Sequence, residues 1–255
     1  MISPPRSNRA AALNAGIAQV QGAFVATLNA QMCPMPNWLD LLLAACDDPQ
    51  VVAVFGSHQT LTLETSAQVL VDRVEAARPQ PPRRMTPGWL REAPGNPVAW
   101  AIRGADHALF RTRLFADSQV GRFGEHYDPP TFYGVSEAYL CYRLLRAGYT
   151  LAHVPEAYVW RSPPPNPVMA QARIEADTTA RTALDLLLLL IERDPAARWR
   201  LITAPRSYLR TCTAWLTATL RGRSQPAARL IRLRGALRSV VWLAQAHLLQ
   251  RREPH

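Results

Sequence analysis

The chain has 255 residues, 48% of them hydrophobic, and a formal net charge of +10. That suffices for one large domain or a domain with an appendage, and the longest unbroken apolar run near the C-terminus, Leu186 to Ile191, is far short of the ~20 residues that cross a bilayer. Four widely spaced cysteines, Cys33, Cys46, Cys141 and Cys212, form no CxxC pair. They suggest neither a zinc site nor a redox dithiol, and fit small buried apolar groups in a reducing compartment.

The charge is segregated. Residues 186–255 carry 13 of the 29 arginines against three acids, Glu192, Asp194 and Glu253, while the first 185 residues are neutral and no lysine occurs anywhere. The expectation is a neutral globular part followed by a basic tail. The N-terminal M-I-S-P-P-R-S-N-R has no apolar segment, so no signal peptide is expected.

In chain order, Ser7 or Asn8 can cap a helix through Leu13, Ile17 and Val20. Phe24, Val25, Ala26 and Leu28 form a short apolar run that reads as a buried strand, ending abruptly in Asn29, Ala30 and Gln31. Pro34 and Pro36 cannot continue a central strand. A polar strand end of this kind is where α/β proteins place ligands. Asn37 can cap a helix from Trp38 to Ala45, stopped at Asp47-Asp48-Pro49, and Val51 to Phe55 is a second buried strand ended by Gly56. This quick alternation argues for an α/β fold with a mostly parallel sheet. Leu61 to Ala77 has helical character, and a long proline-punctuated loop follows. Val98–Arg103 and Ala108–Phe110 read as strands. Glu137 to Ala147 has helical spacing and stops at Gly148, a good left-handed terminator. Leu151–Val154 and Ala157–Trp160 are strand pieces, and S-P-P-P-N-P at 162–167 closes the domain. From 168 the periodicity is helical, broken by Pro195, Pro205 and Pro226. Leu230, Leu233, Leu237, Val240, Val241, Ala244 and Leu248 share one face with Arg229, Arg232 and Arg238 off it, an amphipathic basic helix. The expected division is an α/β unit at 1–167 and a helical basic tail at 168–255.

Seven segments then fall in a telling order: A-A-A-L-N-A-G-I (10–17), G-A-F-V-A-T-L-N (22–29), P-M-P-N-W-L (34–39), D-D-P-Q-V-V-A-V-F-G (47–56), V-G-R-F-G-E (120–125), G-V-S-E-A-Y-L-C-Y-R-L-L-R-A-G-Y (134–149) and V-P-E-A-Y-V-W (154–160). The set resembles family 2 glycosyltransferases with the GT-A fold, over about residues 7–162, and the basic tail is similar to those of rhamnosyltransferase-type members. The resemblance implies a Rossmann-like, partial parallel or mixed sheet with flanking helices. It implies transfer of a sugar from a nucleotide-sugar donor to a saccharide or lipid-linked acceptor in cell-surface glycan synthesis. Relative to the family pattern, the chain starts where the second half-unit starts, and the first nucleotide-binding strands have no counterpart.

On that resemblance Glu137 stands where the catalytic base is expected, since inverting transfer needs a carboxylate to take the acceptor hydroxyl's proton; the alternative is a solvated Glu in a first helical turn. Asn14, Asn29 and Gln31 are the donor-binding candidates. Asn14 alternatively lies on a helix surface, and the other two alternatively just finish the strand. Arg161 is a candidate to offset diphosphate charge, or else a surface arginine. The family implies a divalent metal, Mg²⁺ or Mn²⁺, but its acid position is Gln31 here, an amide and a poor ligand for such ions, so no metal is assigned. His107, His126 and His153 show no ligand spacing. The tail suits an anionic membrane surface, placing the protein in the cytoplasm at the inner face of the cell membrane. Nucleic acid ranks last among its partners, and a tail packed on the domain is the third reading. A homo-oligomer or partner transferase would cover an exposed sheet edge. The alternative function is a non-catalytic pseudo-glycosyltransferase acting as a scaffold at the membrane.

Overall fold

The structure is a computed structural model that describes residues 9–76, 83–92, 106–117, 120–127 and 134–201. Helix α1 (Arg9–Ile17) precedes strand β1 (Phe24–Leu28), the two-residue β2 (Cys33–Pro34) and helix α2 (Trp38–Ala44). Strand β3 (Val51–Thr60), helix α3 (Ser66–Ala76), β4 (Arg84–Met85) and the short helix α4 (Pro87–Glu92) follow. Then come β5 (His107–Arg111), two 3₁₀ turns (Thr112–Ala116 and Glu125–Tyr127), helix α5 (Val135–Arg146), β6 (Thr150–Arg161) and the long helix α6 (Pro167–Leu190). A further helical stretch opens at Pro195 and runs through 201.

The sheet is mixed, in the order β1-β5-β3-β6-β2, with β4 also paired to β6. The mostly parallel sheet expected from the alternation is corrected: β3 and β6 are the one parallel pair among the described strands, and the other pairings are antiparallel. Strand β1 is an edge strand pairing with β5 alone among the described strands, not the buried strand expected. Val25 and Thr27 face inward, while Ala26 and Leu28 are exposed. An edge strand needs only one apolar face, and its short run hides this because Ala and Leu also occupy the outer positions. Strand β3 is central, and Val51 to Gly56 are all buried, as a two-sided strand requires.

Three layers build the core. Trp38, Leu42 and Cys46 pack on one sheet face with Val54, Leu109 and Val159. Ala10 and Ile17 of α1 and Leu140, Leu144 and Leu145 of α5 pack on the other, around Phe55 and Phe110. The Phe110 ring meets those of Phe55, Phe115 and Phe123 edge-on. Outside α5 lies α6, whose Ala183, Leu184, Leu187 and Leu188 cover Tyr139 and Tyr142; each fully buried leucine contributes about 2 kcal/mol. Asn166 caps α6 by accepting from the Val168 N–H at 2.8 Å, with Pro167 in the first position. The phenols of Tyr139 and Tyr142 donate to Glu192 and Asp194, both at 2.7 Å, which ties α5 to the turn after α6. Residues 168–190, the first part of the expected tail, are thus packed on the α/β unit. The rest of the tail from 202, and the strand expected at 98–103, lie outside the described residues.

Local signals hold where they are short-range. Helix α5 ends as expected at Gly148, φ 96°. The Tyr149 N–H bonds the Leu144 carbonyl at 3.0 Å and the Gly148 N–H bonds that of Leu145 at 3.2 Å, a complete Schellman termination. The two strand pieces at 151–160 are one strand with a bulge. Val51 to Phe55 align with Thr150 to His153, and Ser57 to Thr60 with Tyr158 to Arg161. Val154 to Ala157 are therefore fitted against Gly56 alone. A Cβ on Gly56 would stand 2.0 Å from the Ala157 carbonyl oxygen, so only glycine fits.

Two tests follow from this packing. Gly56→Ala is expected to lower the unfolding free energy by about 3 kcal/mol, read as a fall in the urea midpoint at unchanged slope. Burial pushes the Asp185 carboxyl up to about 6 although Arg200, 2.7 Å away, opposes the shift. An unfolded aspartate titrates near ~3.9, so the folded chain holds this proton more tightly. The group's stabilising contribution is full below about pH 4 and is lost as pH rises through about 6, on the order of 2 kcal/mol. Comparing urea midpoints of wild type and Asp185→Asn across that window is expected to show the decline in wild type alone.

Candidate active site

Gly134, φ 98°, turns the chain into α5 and puts Glu137 in its first turn. There the helix dipole favours a carboxylate. The position is not the solvated one that a first-turn glutamate usually takes: Glu137 is 2% exposed. A buried carboxylate needs a cation, and Arg9 supplies it, its Nε donating to Oε1 of Glu137. The other arm of the same guanidinium reaches Oδ1 of Asp106 at 2.5 Å, just before β5. One planar fork thus joins α1, the entry to β5 and the start of α5. Burial opposes the charge on Arg9, but the fields of Glu137 and then Asp106 outweigh it, so its pKa is raised. One turn along α5, burial and then the Glu137 charge push the Cys141 thiol up.

The polar end of β1 adjoins this fork. The Asn29 N–H donates to the Asp106 carbonyl at 2.7 Å, and its amide nitrogen lies 3.4 Å from Oδ1 of Asp106. Its side-chain oxygen accepts from the Gln31 N–H at 2.9 Å, closing a tight turn that holds Gln31 exposed. Glu137 and Asn29 are therefore brought together through Arg9 and Asp106.

Asn14 and Arg161 are placed elsewhere. Asn14 is buried, not a surface residue, and clasps the Phe123 backbone in both directions: it accepts from the N–H at 3.0 Å and donates to the carbonyl at 2.8 Å. It also donates to Glu125 at 3.0 Å. Arg161 ends β6, paired with Glu75 of α3, which Arg173 of α6 approaches at 3.7 Å. Burial, then Arg173, push its guanidinium down to about 9, still charged at neutral pH. Its strand lies two positions across the sheet from β5, so its charge is spent between α3 and α6. Cavities of about 420 Å³ (beside Tyr142, Arg146 and Trp199) and about 520 Å³ (beside Leu70, Arg73 and Gln171) include none of the expected site residues.

The donor set does not fit a divalent metal. Among the described residues no three His, Cys, Asp or Glu side chains converge. The strand end offers amides, and the two carboxylates near it, Asp106 and Glu137, both hold Arg9, which a cation would have to displace. The residue that sequence reading missed is Arg9. Its signal was an arginine opening a helix, where the dipole disfavours a cation and a compensating carboxylate is to be sought.

A mixed sheet with α2 on one face and α1 and α5 on the other is consistent with a GT-A-like α/β fold. Residues 2–113, a little under half of the chain, match the model of Glycosyl transferase family 2. A search of curated proteins gives no match.

Because Asn14 satisfies both polar groups of a buried peptide unit, Asn14→Ala strands them. The expected loss is about 2–3 kcal/mol in denaturant unfolding, with any effect on ligand binding no larger than the loss of folded protein explains.

Proposed function

We propose that this chain is an inverting glycosyltransferase that moves a sugar from a nucleotide-sugar donor to a saccharide or lipid-linked acceptor in cell-surface glycan synthesis. The observation that carries it is the buried Glu137 carboxylate, held by Arg9 in the first turn of α5, in a chain whose residues 2–113 match the family 2 model. Glu137 lies beyond the matched residues, so its role rests on this geometry. In the proposed step the acceptor hydroxyl oxygen attacks the anomeric carbon. The bond from that carbon to the diphosphate oxygen breaks, and its electron pair leaves with the nucleoside diphosphate. The hydroxyl proton passes to Glu137 and from there to solvent. Asn29 and Gln31, at the end of β1, supply hydrogen bonds to the donor. No step runs through a metal.

We take 1–167 as the transferase unit and 168–255 as an appendage anchored through α6 and carrying the arginine excess. That excess favours the inner face of an anionic membrane, at about 1 kcal/mol per arginine near the leaflet. Among the described residues no helix is long and apolar enough to cross a membrane. A second reading, a non-catalytic scaffold for a partner transferase, is favoured by the amide at Gln31 where the family's pattern has an acid.

Calorimetric titration with a panel of nucleotide sugars, with and without Mn²⁺, is expected to show metal-independent binding of at least one. Glu137→Gln is expected to keep that binding and lose turnover by about 10²–10⁴-fold. Absence of any binding defeats the catalytic reading, and turnover indifferent to Glu137→Gln removes the base.

A further inference from the structure

We infer that Arg9 is the positioning residue of this site, and that Asp106 acts with it as a second counter-ion that lets Glu137 accept a proton. The inference rests on the reading of Glu137 as the base and adds two residues to it. A buried carboxylate locked to one arginine is a poor proton acceptor, because protonating it strands the cation without a partner. Here the guanidinium has two partners on separate arms. The three groups carry one net negative charge. When Glu137 takes a proton, Arg9 stays neutralised by Asp106 and the trio becomes neutral. The burial gradient agrees: the Glu137 side chain is 3% exposed, against 18% for Asp106 and 23% for Arg9. The deeper carboxylate gains most from becoming neutral, and the shallower one remains charged.

The planar fork also fixes direction. Nε and the terminal nitrogen are held in one plane, which aims Oε1 of Glu137 and Oδ1 of Asp106 at the same guanidinium. A lysine carries the charge but cannot span both carboxylates in that geometry. Asn29 steadies Asp106 from β1, through its backbone N–H and its amide. Arg9 from α1, Asp106 from the start of β5 and the Cys141 thiol from its own helix are among the groups beside Glu137.

The two flanking residues are expected to move Glu137 in opposite directions. With full-length protein carrying ¹³C in its glutamate carboxyls, the Glu137 resonance is assigned by its loss in Glu137→Gln and followed against pH. Arg9→Gln is expected to raise its midpoint by about 1–3 units, since the neighbouring cation is removed. Arg9→Lys is expected to raise it less, and Asp106→Asn to lower it, since a negative charge close to Glu137 is then removed. Turnover of a nucleotide sugar that binds is expected to follow. The acid limb in Arg9→Gln shifts up and activity returns at alkaline pH, whereas a purely structural arginine would cost activity at every pH. A Glu137 midpoint unmoved in Arg9→Gln, or unchanged or raised in Asp106→Asn, overturns the inference. Should Arg9→Gln fail to fold, the sign of the Asp106→Asn shift decides. Wild-type protein that turns over no nucleotide sugar defeats the function reading instead, and leaves the carboxyl titrations to judge Arg9.

Discussion

A carboxylate 2% exposed can stay ionised in a folded protein only if a cation is held against it, and much of the arrangement on one sheet face serves that requirement. Arg9 reaches Glu137 because α1 and α5 pack side by side on the sheet, Ala10 and Ile17 sharing a cluster with Leu140 and Leu144. Asp106 reaches Arg9 because β5 runs antiparallel beside β1, His107 opposite Leu28. The apolar core thus aims the charges, and the charges in turn restrict how α1 can lie. Asn14, one and a half turns further along α1, fastens the same helix to the Phe123 backbone.

The molecule keeps two ionic centres apart. Glu137, Arg9 and Asp106 gather at the β1–β5 side, where two carboxylates share one cation. At the end of β6, two arginines, Arg161 and Arg173, converge on one carboxylate, Glu75. The first centre lies beside a polar strand end; the second also feels Asp72 and Asp177, and it braces α3 and α6 on the sheet.

What the sequence made legible was local. The strand at 24–28, the helix starting at Trp38 and the Schellman end at Gly148 depend on neighbours within a few residues, and each is found where expected. The family order of motifs carried the fold class beyond that. Edge or centre in a sheet is decided by distant partners, so β1 could not show that one of its faces is bare. The same holds for the site. Glu137 was legible from its motif, but Arg9 lies 128 residues away in the chain and no spacing rule connects them. Arg161 has Glu75 of α3 as its partner, a pairing across 86 residues that no spacing rule shows.

The bulge in β6 has a consequence for how such a sheet can change over time. On one side of Val154–Ala157 the strand takes β4 as its second neighbour, at Leu151 and Ala152; on the other it takes β2, at Val159 and Trp160. Strand β3 runs along both halves, but its alignment shifts between them. The bulge therefore insulates one half from the other, as a slack link does in a chain. A residue gained or lost in the linker before β4 is not transmitted to the strand end where β2 docks, so the two flanks of the sheet can drift in length independently while Gly56 keeps the seam closed.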